Sequence, residues 1–133
     1  MRNLATELEQ YLYQCNEFDW ARFNCCHYAA GWVKHVEGLD TSEHFPETPS
    51  RLAAIRHITA SGGWREVITK ALSREVSPVS LLQTGDLALV ELECDSTCLG
   101  IVSGRHAHCL PQEGKPVAVQ LSSAKIGWKL QAK

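Results

Sequence analysis

The sequence has no long apolar run. None approaches the roughly 18–20 consecutive apolar residues that a membrane-spanning helix needs, so membrane insertion is not expected. It also has no basic stripe. The 13 Lys and Arg are scattered among 15 Asp and Glu, for a formal net charge of -2. A nucleic-acid backbone or an anionic membrane surface would want clustered positive charge, so neither is an expected partner. The N-terminus, MRNLATELEQYLYQC, lacks the apolar core and small-residue cleavage site of a signal peptide. There is no phosphate loop, no G-x-G-x-x-G, no internal repeat and no low-complexity tract, so no cofactor is expected. The Gly62-Gly63 pair reads as a helix stop.

What is present is the composition of one ordinary globular domain. The chain has 133 residues, 44% hydrophobic and 21% charged. Two separate cores would each be marginal at half that length, so residues 1–133 are expected to form a single domain. Six cysteines, Cys15, Cys25, Cys26, Cys94, Cys98 and Cys109, are the unusual feature. With no signal peptide and enough chain to bury a core, reduced thiols are the expectation rather than a disulfide framework.

Helical spacing dominates the first half. Leu4, Leu8, Tyr11 and Leu12 share one face of a helix over residues 3–14. The stretch Cys15–Asn24 breaks that period and reads as a loop with its aromatics turned inward. A second helix is predicted from Asn24 or Cys25 to Glu37, with Asn24 as its cap and Gly38 as its stop. Cys26, Ala29, Ala30, Val33 and Val36 would line its buried side. A third helix starts at Pro49, with Leu52, Ile55 and Thr59 in one stripe, and a fourth runs from Trp64 to Leu72. After Thr84-Gly85 the pattern turns to strands, at 86–93, 98–103, 106–110 and 117–121, with a short fifth at 127–130. Helices first and an antiparallel meander after them is an α+β plan.

Cys25 stands where the second helix opens. The positive end of a helix dipole stabilises a thiolate, the nucleophilic form of cysteine. The plainer reading is that a cysteine there packs as a small hydrophobe, and Cys26, in the apolar stripe, fits that reading better. A cysteine hydrolase also needs a base and a group to orient it. His27 is about 200° round the helix from Cys25 and points away. His35, His44 and His57 fall on helix or loop surfaces. His106 and His108, two residues apart, share one strand face and are the candidate bases, or else polar residues on an edge strand. Cys94, Cys98, His106, His108 and Cys109 are zinc-ligand types, but their spacing matches no common structural zinc pattern. No bound metal is expected.

These residues carry a resemblance. FDWARFNCCHYAAGWV, then a helical middle, then TGDLALVELE and CLGIVSG, follow the order of motifs in the NlpC/P60 superfamily. Its members are papain-like cysteine hydrolases that cut peptidoglycan peptides. A closer resemblance is to small NlpC/P60-like proteins encoded among bacteriophage tail genes, which share the helix opened by cysteine, the Gly-Gly stop, the G-D strand, the L-G-I strand and an ending like IGWKL. The similarity runs from about Leu4 to Leu130.

The resemblance implies a papain-like fold, with N-terminal helices packed on a C-terminal antiparallel sheet. It puts Cys25 at the nucleophile position. Cys98 falls where the family has its catalytic histidine, because CLGI stands in place of HVGI. His108 falls near the third, orienting position. A thiol is a poor substitute for an imidazole base near neutral pH. Either His106 or His108 has taken over as base, or the site no longer turns over, which needs fewer assumptions. The implied role is a component of a phage tail tip or baseplate, made in the bacterial cytoplasm and assembled with other tail-tip proteins. One alternative is an active peptidase on peptidoglycan peptides, with Cys25 attacking and His108 or His106 as base. Another is a metal-bearing structural plug built on Cys94, Cys98 and Cys109. Three structural expectations follow: Cys25 opens a helix, Trp20 and Phe23 pack the preceding loop, and Cys98 faces Cys25.

Overall fold

The computed structural model describes residues 3–14, 25–41, 51–72, 75–76, 79–92, 96–109 and 117–130, with Cys25 and Cys26 described by their backbone. Among the described residues, four α-helices come first: α1 (Leu4–Gln14), α2 (Cys25–Glu37), α3 (Arg51–Ala60) and α4 (Trp64–Leu72). Six described strands follow: β1 (Glu75–Val76), β2 (Leu87–Leu92), β3 (Ser96–Ser103), β4 (His106–Cys109), β5 (Val117–Gln120) and β6 (Ala124–Trp128). They form one sheet in the order β1-β6-β2-β3-β4-β5, antiparallel at every pairing. The architecture is α+β.

Local chemistry accounts for the helix ends. Asn3 caps α1, its side-chain oxygen accepting from the Thr6 amide at 3.1 Å. Gly62 and Gly63, at φ of 102° and 97°, close α3 in the left-handed region. Gly63 N–H donates to the Ile58 carbonyl at 2.8 Å and Gly62 N–H to that of Thr59 at 3.1 Å, the paired bonds of a Schellman stop. Among the described side chains of α3, Ile58 is buried, and Thr59, expected on the inner stripe, is exposed. The last strand lies at Ala124–Trp128, three residues earlier than its expected start, and pairs with both β1 and β2.

The helical layer is locked by aromatics. Tyr28 and Trp32 of α2 are fully buried, although they stood outside the apolar stripe read from the sequence. Tyr11 of α1 donates its hydroxyl to the Tyr28 carbonyl at 2.7 Å, and its ring lies 5.4 Å from that of Trp32. A Cβ at Gly31 would sit 2.4 Å from that hydroxyl, so glycine permits the approach of α1 to α2. Trp32 in turn donates its indole N–H to the Gly85 carbonyl at 2.8 Å, fixing α2 to the entry of β2.

The two faces of the sheet differ in side-chain size. In an antiparallel pair, residues directly opposite each other project to the same side. Register pairs Leu87 with Ile101 and Trp128, and Leu89 with Leu99 and Ile126, giving a face of large apolar groups. Ala88 pairs with Gly100 and Gly127, Gly100 with Cys109, and Val102 with Ala107, giving a face of small ones. The middle of both faces is buried, so β2 and β3 read as nearly continuous hydrophobic runs.

Candidate functional site

The candidate site is built from the start of α2 and the β3–β4 hairpin. The first residue of α2 is Cys25, as the sequence predicted. Its side chain lies outside the described part of the structure. So do Trp20, Phe23, Asn24 and Cys94, and with them the expected packing of the loop and the approach of Cys98 to Cys25. α2 packs against β3, and the Tyr28 hydroxyl donates to the carbonyl of His108 at 2.9 Å, tying the helix to β4 as well.

β3 holds Cys98 at the centre of the sheet, opposite Val90. Cys98 is 5% exposed, and its thiol donates to the Leu99 carbonyl at 3.6 Å. Two residues on, Gly100 pairs with Cys109 of β4. A Cβ at Gly100 would lie 2.8 Å from the Cys109 sulfur and 3.1 Å from the Ala107 Cβ. Glycine is therefore needed for the two strands to carry a thiol at this point. Cys98 and Cys109 share the small-residue face of the hairpin, diagonal to each other across β3 and β4.

His106 and His108 share a face with each other, as their spacing required. His106 pairs with Ser103 and His108 with Ile101, so both imidazoles project to the side opposite Cys98, Gly100 and Cys109. His106 is exposed and His108 half-buried. Burial lowers the pKa of His108, and the charge of His106 lowers it further, so His108 favours its neutral form. The zinc-type residues of this segment are thus divided by the pleat, two thiols on one face and two imidazoles on the other. Among the described residues no three His, Cys, Asp or Glu side chains are grouped to hold one metal ion.

The remaining histidines separate. His35 bonds Glu7 of α1 through Nε2 at 2.8 Å and stacks on Trp32, with ring centroids 5.3 Å apart. It therefore braces α1 on α2. His57 is half-buried on α3.

Asp86, the acidic residue of the G-D strand entry, was not singled out by sequence reasoning, yet it is 4% exposed. Its carboxylate accepts from the Gln83 amide at 2.7 Å, the Leu130 amide at 3.0 Å and Lys129 Nζ at 3.3 Å. The Asp86 backbone carbonyl accepts from Val102 at 2.8 Å. This one residue joins the entries and exits of β2, β3 and β6. The available signal was an acidic residue directly before an apolar strand, where burial without partners would be costly.

The sequence model of a family described as a domain of unknown function, DUF6950, matches residues 1–130. The chain belongs to this family. The match takes in every described element of the DUF6950 fold, from α1 to β6. A search of curated proteins finds no match. Among the described residues of this DUF6950 domain, no helix is long and apolar enough to cross a membrane.

Proposed function

We propose that this domain has a papain-like fold of NlpC/P60 type whose cysteine-hydrolase site has lost its base, and that it serves as a small component of a phage tail tip or baseplate. The observation that carries the reading is the residue on the central strand. In the order C-L-G-I, Cys98 is buried beside Gly100 on the small-residue face, and no histidine of the described strands shares that face. The family pattern places an imidazole there. A thiol is a poor substitute for an imidazole as general base near neutral pH. Support for the tail role is the resemblance of the whole motif order to tail-encoded relatives.

The activity test uses purified protein and cell-wall muropeptides. Little or no cleavage is expected, since general-base help is worth about 10²–10⁴-fold in rate. Robust cleavage abolished by both Cys25→Ala and His108→Ala would instead establish an active peptidase. The sharper experiment is Cys98→His, which restores the family residue. A gain of cleavage dependent on Cys25 supports a site that lost only its base. No gain means that the groove or the oxyanion donors have gone too, which leaves the structural role. That role is tested separately by mass spectrometry of purified tail particles. The reading expects the protein to be present in stoichiometric amount, and its absence overturns the assignment.

A further inference from the structure

The imidazole face of the hairpin has its own chemistry, independent of the thiol face and of the hydrolase reading. His106 and His108 are alternate residues of a regular four-residue strand. A rise of about 3.3 Å per residue sets their Cα atoms between six and seven ångströms apart with both side chains on one side, a span that two imidazoles can close on a single ion at metal–nitrogen distances near 2.0–2.1 Å. The residues opposite them are Ser103 and Ile101 on β3, and Gln120 and Ala118 on β5. None of these four is charged. Hard ions such as calcium and magnesium want several oxygen ligands, usually carboxylates. Imidazole nitrogens without carboxylate or thiolate suit copper, nickel and zinc.

We propose that His106 and His108 form a two-imidazole seat on β4 for a divalent transition-metal ion, copper or nickel ahead of zinc, whose other coordination positions stay open to water or to a donor from outside the chain. The affinity order is that of the Irving–Williams series. The open positions follow from the edge of the face, where His106, Ala118 and Gln120 are exposed.

The probe is Ni²⁺ alone, titrated calorimetrically into the full chain in a non-coordinating buffer, with the absorption spectrum recorded alongside. Nickel is used because thiols reduce Cu²⁺. One ion per chain is expected, with no thiolate-to-metal charge-transfer band. His106→Ala and His108→Ala should each weaken binding by more than the roughly 10–100-fold typical of losing an outer-shell partner, because each removes one of the two proposed ligands. His57→Ala should leave binding unchanged. Gln120 lies directly across from His106, so Gln120→His adds a third imidazole on the same face and should tighten binding by about ten-fold or more, roughly 1.4 kcal/mol. The proposal is overturned by absence of binding at millimolar nickel, by binding that survives both alanine substitutions, by a thiolate band, or by a Gln120→His variant that binds no better. His106 is exposed, so His106→Ala and Gln120→His still decide the matter if His108→Ala fails to fold.

Discussion

The two faces of the β3–β4 hairpin are made from interleaved residues of the same short segments, yet they differ in side-chain size and in how far they open to solvent. One carries Cys98, Gly100, Val102, Ala107 and Cys109, all small and buried. The other carries Leu99 and Ile101 in the core and then opens through Ser103, His108 and His106 toward solvent. A one-residue slip of register would exchange the two sets entirely. On a strand, adjacency in sequence, as in His108-Cys109, is separation in space. Groups that look like one metal or catalytic cluster in the sequence are held on opposite sides of a layer of backbone.

The largest expected effect is on the large-residue face. Ile101→Ala removes a fully buried side chain from the centre of the sheet and should cost about 2–5 kcal/mol, measured by urea unfolding. On the small-residue face the sensitivity has the opposite direction in size. Gly100→Ala adds one methyl group where the Cys109 sulfur and Ala107 already stand, and should cost about 1–3 kcal/mol through overpacking. The paired variant Gly100→Ala with Cys109→Ala should recover part of that loss. If the double variant is no more stable than the single, the sulfur is not what limits the space.

A smaller effect probes the attachment of α2 to the hairpin. Tyr28→Phe keeps the buried ring but removes the donor to the His108 carbonyl, and should cost about 0.5–1.5 kcal/mol in thermal or chemical unfolding. A neutral outcome would mean that the ring alone fixes the helix.

The smallest effect belongs to the imidazole face and depends on pH. The pKa of His108 is lowered in the folded state by burial and then by His106. The unfolded chain therefore binds the proton more readily, and stability should be fully present above the ordinary imidazole value of about 6.5 and decline as pH falls through the lower folded value. His108→Gln should flatten that decline in unfolding measurements between neutral and mildly acidic pH. An unchanged slope would assign the acid sensitivity to other groups.

Much of the fold was legible in the sequence because local rules acted without competition. The helices at 4–14, 25–37 and 64–72 follow from apolar spacing and, for the last two, from Gly38 and Gly63 at their ends. The strands β2, β3 and β5 follow from apolar runs bounded by turn residues, and β4 from the alternation of His106-Ala107-His108-Cys109 after the Gly104 turn. The core of α2 was only half legible. Tyr28 and Trp32 look like amphipathic interruptions in the stripe, and their burial is settled by partners far along the chain, His108 and Gly85. Asp86 was missed for the same reason, since its three donors come from the loop before β2 and from the chain after β6.

At the candidate site, local periodicity was enough to set Cys25 at the opening of a helix and His106 and His108 on one strand face. Both follow from helix and strand periodicity, a property of a few neighbouring residues. Only the tertiary structure decided which side of the sheet each chemistry occupies. Strand register made that decision. It pairs Gly100 with Cys109 and Ile101 with His108, and it is set by burial on two faces at once rather than by any single segment. The same pairing gives Cys98 a buried place beside Gly100, leaves His108 half-buried beside Ile101 and His106 exposed at the end of the strand, so parity sets the face and distance from the centre of the sheet sets the exposure.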